Sequence, residues 1–150
     1  MSPRYVAVVG ASQATPADLA DAEAVGRLLG EAGAIVVCGG RGGVMSAAAK
    51  GCCEAGGTVI GMLPGEDRSD ANEWVTIAIP TGLGELRNGL IVRTADTMIA
   101  VGGAYGTLSE IALGLTAEKR IYALHSWDIA GVVAVATPAE AVSRALSFPA

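Results

Sequence analysis

Residues 97–118 read TMIAVGGAYGTLSEIALGLTAE, and their order decides the fold. TMIAV (97–101) is a short apolar run without alternation, the mark of a strand buried on both faces. GGAYGT (102–107) is a glycine turn, and 108–118 returns to apolar residues at helical spacing. A buried strand that passes through glycines directly into a helix is half of a βαβ unit, whose strands run parallel.

The same pattern repeats outward in both directions. YVAVV (5–9), AIVVC (34–38), TVIGML (58–63) and WVTIAI (74–79) read as strands before it, IYAL (121–124) and VVAVA (132–136) after it. Helices are predicted from Thr15 to about Ala32, over 44–55 and 83–94, and from Thr137 onward. Thr15-Pro16-Ala17-Asp18 and Thr137-Pro138-Ala139-Glu140 each offer a capping hydroxyl, a proline at the first helical position and an acid where a capping box needs one. Residues 64–73, PGEDRSDANE, form a polar loop that reads as a lid or a connector. The expected architecture is α/β: a three-layer, doubly wound, Rossmann-like parallel sheet, in a single nucleotide- or phosphate-binding domain spanning 1–150.

Composition narrows the function. A chain of 150 residues has one domain's length and buries roughly 70% of its unfolded surface. Hydrophobic residues are 51% and charged residues 17%, which excludes disorder. A net charge of -5 with one Phe, two Trp and three Tyr argues against nucleic-acid or membrane partners. A single small anion stays open, because helix N-termini hold phosphate without excess Lys or Arg. The apolar run at the start is too short for a signal peptide, and no run approaches the roughly 20 residues of a membrane span. Cys38, Cys52 and Cys53 show no CxxC or Cys/His spacing, so neither a metal site nor a resident cofactor is expected, and the reducing cytoplasm is the expected compartment.

Glycine supplies 21 residues, about twice its ordinary share of roughly 7%. Three turns at predicted strand ends hold many of them: Gly10-Ala11-Ser12-Gln13, Cys38 to Met45, and Gly102 to Thr107. Without Cβ atoms, main-chain N–H groups can converge on an anion there, aided by the helix dipole. Candidate ligand-binding residues are Gly10, Ser12, Gly39, Gly40, Arg41, Gly42, Met45, Gly102, Gly103, Ala104, Tyr105, Gly106 and Thr107. The competing reading is that these turns merely pack closely, with Met45 in the core and Arg41 in solvent. A nicotinamide fingerprint is excluded by one glycine in the first turn and no acid closing the second strand. A Walker loop is absent, and neither Lys50 nor Lys119 is placed for a pyridoxal Schiff base.

Two charged residues carry the chemistry. Thr107-x-x-Glu110 is itself a capping box, or else Glu110 is a carboxylate near a ribose, stabilising charge as a base departs. Arg87 falls beside the apolar stripe Leu83, Leu86, Leu90, Ile91, so its guanidinium needs an anion. Either Glu110 or Asp96 supplies it internally, or a ligand does. His125, the only histidine, reads as structural. The helices at 83–94 and 108–118 are apolar on more than one side, which predicts a homodimer built through them.

GGAYGTLSE (102–110) resembles the PGGxGTxxE signature of the LOG (Lonely Guy) family, often labelled "lysine decarboxylase". GGRGGVMSAAAKGCCEAGGTVIGMLP (39–64) is similar to that family's GGGxxGLMG…GGxVxGVxP stretch, VVGAS (8–12) to its first strand end, and LRN (86–88) to its Arg-Lys segment. The resemblance covers about residues 5–125. It is greatest to a small bacterial branch that also includes the molybdenum-cofactor carrier proteins. It implies cleavage of the N-glycosidic bond of a nucleoside 5′-monophosphate such as AMP, with Arg87 and Glu110 as catalytic residues. The alternative is a carrier or sensor that holds a phosphate-bearing ligand of molybdopterin type without turnover. Gly102 stands where the signature has proline, Ala104 where it has glycine, and Asn88 where it has lysine.

Overall fold

The computed structural model describes residues 2–147. Its elements are β1 (Tyr5–Gly10), α1 (Pro16–Glu31), β2 (Ile35–Cys38), α2 (Val44–Glu54), β3 (Thr58–Leu63), β4 (Ile77–Pro80), α3 (Asn88–Thr94), β5 (Thr97–Val101), α4 (Tyr105–Thr116), β6 (Arg120–Leu124), β7 (Val132–Ala134) and α5 (Pro138–Leu146). One seven-stranded sheet, ordered β4-β3-β2-β1-β5-β6-β7, runs parallel at every pairing. The doubly wound, Rossmann-like α/β expectation is what the chain forms.

The strands are apolar on both faces because both faces are covered. Val6 and Val8 face one layer of core with α1, α2 and α5. Ala7 and Val9, one residue out of phase, face the other with α3 and α4. At both predicted Thr-Pro helix starts the capping hydroxyl bonds as read: the Thr15 hydroxyl accepts from the Asp18 N–H, and the Thr137 hydroxyl from the Glu140 N–H. The Glu140 carboxylate accepts not from the cap N–H but from that of Ala136, one residue before it, at 3.0 Å.

Two segments depart from expectation. The strand read at 74–79 starts only at Ile77, because Asn72 bends the chain before it. Its side chain accepts from the Trp74 N–H and donates to the Arg41 carbonyl, while its own N–H donates to the Gly40 carbonyl. Loop 64–73 is thereby tied to the β2–α2 turn. The helix read at 83–94 is split into a 3-10 turn (Gly84–Arg87) and α3, and Leu86 is left 79% exposed.

Many glycines do work that turn chemistry does not explain. Gly26 and Gly30 on α1 and Gly51 on α2 let two helix backbones touch. A Cβ at Gly26 would lie 2.0 Å from the Ala48 carbonyl oxygen, and one at Gly51 would lie 2.1 Å from that of Glu23. Neither backbone can yield without parting the helices. Gly26→Ala is therefore expected to destabilise by about 2 kcal/mol despite the better helix propensity of Ala, lowering the melting temperature by about 4–8 °C. Gly89→Ala, where the added methyl meets nothing within 4 Å, is expected to leave it equal or slightly higher in the same thermal melts.

Candidate functional site

In a doubly wound sheet, connections leave the strand ends towards opposite faces, and a crevice opens where they part. Here that point lies between β1 and β5, the pair from which the chain winds in opposite directions. A crevice of about 620 Å³ occupies it, within the range of small-molecule sites. Its floor is Val8 to Gln13, at and beyond the end of β1. One wall is Ala104 to Thr107 with Ser109 and Glu110 from α4. The other is Gly39 and Met45 from the β2–α2 segment with Glu85, Arg87 and Asn88 from the turn into α3.

Ten of the candidate residues line this space: Gly10, Ser12, Gly39, Met45, Arg87, Ala104, Tyr105, Gly106, Thr107 and Glu110. Gly40, Arg41, Gly42, Gly102 and Gly103 do not. Gly40, at φ +77, turns the chain under Leu63, and Arg41 and Gly42 are exposed. Gly102 and Gly103 form the turn behind the wall, at φ +56 and +111. A Cβ at Gly102 would meet the Asp18 carboxylate at 2.4 Å, and one at Gly103 would meet Thr107 at 2.5 Å. A proline, fixed near φ -65°, cannot take the Gly102 conformation. The turn is buttressed instead by the Ser126 hydroxyl, which donates to the Gly102 carbonyl, and by the Trp127 indole N–H, which donates to the Ala104 carbonyl at 3.1 Å. Gln13, Glu85, Asn88 and Ser109 also line the crevice. Gln13 ends the first of the glycine turns and Asn88 was visible only as the neighbour of Arg87; nothing in the glycine patterns marks Glu85 or Ser109.

The Thr107–Glu110 capping box does not form. α4 begins at Tyr105, and its cap, Ala104, makes no side-chain bond. Thr107 is therefore the third helical residue and Glu110 the sixth. The first helical bond from this end is Leu108 N–H to the Ala104 carbonyl, which leaves the N–H groups of residues 105–107 without helical acceptors. Thr107 is 2% exposed, and its hydroxyl is buried with no hydrogen-bond partner. Gly39 makes room opposite: a Cβ there would lie 2.5 Å from the Met45 sulfur and 2.8 Å from an Arg87 nitrogen. Tyr105 is exposed and stacks on Trp127, with ring centroids 6.2 Å apart.

Arg87 and Glu110 share the crevice without pairing. The Arg87 Nε donates to the Met62 carbonyl at 2.9 Å, and one terminal nitrogen donates to the Asn88 side-chain oxygen at 2.8 Å. Among the described residues no carboxylate lies within 4.0 Å of this guanidinium. Asp96, the other internal partner considered, sits at the opposite end of the sheet, where it accepts from the Tyr5 N–H. Burial draws the Arg87 pKa down, against the pull of Glu110. Burial likewise pushes Glu110 up to about 7, a rise that Arg87 opposes. Burial also holds the Cys38 and Cys52 thiols high, at about 11, and all three cysteines are free. Among the described residues no group of three His, Cys, Asp or Glu side chains is placed to hold a metal ion, and no helix is long and apolar enough to cross a membrane.

The raised Glu110 pKa sets a sign. Between about 4.5 and 7 the folded chain holds a proton that the unfolded chain releases, so stability falls as pH rises through that window and levels off above it. Glu110→Gln, which mimics the protonated acid, is expected to melt higher than wild type at pH 8, by up to roughly 3 kcal/mol of stability, and to match it at pH 4.5. Thermal melts of both proteins at the two pH values check this.

Comparison with known proteins places this geometry. An uncharacterized protein of Archaeoglobus fulgidus is 40% identical over 143 residues, 95% of this chain and 94% of the relative. The molybdenum cofactor binding protein of the phototrophic bacterium Rippkaea orientalis superposes with a TM-score of 0.91 at 35% identity, covering 96% of both chains. The Moco carrier protein of Chlamydomonas reinhardtii does so at 0.88 and 34%, covering 97% of this chain and 99% of that one. DNA processing protein A of Helicobacter pylori, at 18% identity and a TM-score of 0.76, shares the fold alone. The model of the SLOG cluster4 family matches residues 3–146, and the chain belongs to that family.

Proposed function

We propose that this protein is a carrier-type binding protein, holding a small phosphate-bearing ligand of molybdopterin type in the crevice between β1 and β5. The observation that carries the reading is the buried, unpartnered Thr107 hydroxyl beside the free N–H groups at the start of α4. An unmet buried hydroxyl is costly in the empty protein and is satisfied by a ligand oxygen. The likeness to a molybdenum cofactor binding protein and a Moco carrier protein supports the choice of ligand.

Thr107→Val tests this, because it keeps the shape and removes the hydroxyl. The variant is expected to be about 1 kcal/mol more stable than wild type when empty, and to bind molybdenum cofactor about 10-fold or more weakly. Equal affinity in the two proteins, measured by equilibrium binding, overturns the reading.

A second reading rests on Glu110. A buried acid that titrates near 7 beside an unpaired guanidinium suits proton transfer to a departing base, as in a nucleoside 5′-monophosphate phosphoribohydrolase. Incubation with AMP separates the two. Under the carrier reading AMP is returned intact, whereas release of adenine that Glu110→Gln abolishes establishes the hydrolase.

The protein is further proposed to act as a homodimer in the cytoplasm. Leu83, Leu86, Leu90 and Leu113 are all exposed on the turn before α3 and on α3 and α4, and contact with a second copy removes that apolar surface from water. Light scattering is expected to give twice the chain mass for wild type and a monomer for Leu86→Glu.

A further inference from the structure

The crevice holds one buried polar residue that neither reading has used. Asn88 is 7% exposed and lines the crevice, and its side chain has a single hydrogen bond, in which Oδ1 accepts from Arg87 at 2.8 Å. Arg has only donors, so the amide orientation is fixed: the oxygen must face Arg87, and the Nδ2 group faces elsewhere. That NH₂ has no acceptor among the described residues. Thr107 Oγ1 is the one buried side-chain polar atom without a partner among the described residues, so the Asn88 NH₂ is open to the crevice, where a ligand acceptor can reach it.

The partner of Arg87 matters as much. Its two hydrogen bonds go to neutral oxygens, the Met62 carbonyl and the Asn88 amide. These fix the guanidinium's direction without cancelling its charge. An aspartate at position 88 would make the same bond as an ion pair, leaving little net charge for anything entering the crevice. The other acids near Arg87 are Glu85 and Glu110, neither within ion-pair distance. A neutral clamp on an unpaired cation is the arrangement that favours an anionic guest.

We propose that Asn88 is a positioning and specificity-determining residue: it holds Arg87 through a neutral oxygen so that the guanidinium charge stays available to an anionic ligand, and donates its own Nδ2–H to a ligand oxygen. This rests on the reading of the crevice as a site for a phosphate-bearing ligand. It goes further in assigning the selection for negative charge to the position where the LOG signature carries lysine.

The test compares AMP with adenosine as probes, measured by calorimetry on wild type, Asn88→Asp and Asn88→Ser, with melting temperature as the check on folding. Wild type is expected to favour AMP by at least 100-fold. In Asn88→Asp, which keeps the clamp and adds a negative charge, that ratio is expected to fall at least 10-fold while the melting temperature holds or rises. Asn88→Ser is expected to lose AMP affinity by about 5–20-fold. If Asn88→Asp keeps the wild-type ratio, or if both probes weaken equally, the role of Asn88 is structural and the proposal fails while the phosphate reading stands. If wild type itself shows no preference for AMP, both fall together.

Discussion

The chain leaves β1 and β5 towards opposite faces of the sheet, and the rest of the molecule is arranged around that parting. Neither connection can close over the gap, because each must pack its helix against its own side. The strand ends therefore deliver backbone and short side chains to an open space, walled by the first turn of α4 on one side and by the segment around Arg87 on the other. The apolar layers above and below the sheet, built from alternate residues of the same strands, keep the walls in register.

Within that space the polar groups are left unsatisfied by one another. Thr107 has no partner, Glu110 is pushed towards neutrality by burial, and Arg87 is held by neutral oxygens. A core selected for stability alone would pair the two charges or replace them with apolar residues. Their separation leaves both charges open to whatever enters the crevice.

The layered parallel sheet was legible because strand periodicity and the Thr-Pro capping boxes are local signals. The same signals failed where tertiary contacts overrode them. WVTIAI has the apolar content of a strand, yet Asn72 bends its first residues away. Thr107-x-x-Glu110 has the spacing of a capping box, yet the helix begins three residues earlier. The glycine turns at 102–107 and 39–43 drew attention to the end of the sheet where the crevice opens, but only some of their residues face it. The helix-interior glycines at 26, 30 and 51 serve α1–α2 contact, which no one-dimensional pattern separates from turn chemistry. Glu85 enters the crevice through the way loops fold together, which no local pattern announces, and Asn88 comes into view only beside Arg87.

The left-handed Gly102, clasped from behind by Ser126 and Trp127, bears on how pieces of this chain can be exchanged with relatives. A signature that begins with proline cannot be transplanted onto this backbone alone, since the donor ring would force the peptide out of the clasp. A working chimera has to carry the segment after β6 together with the turn after β5. Two stretches that lie some twenty residues apart thus behave as one inheritable unit.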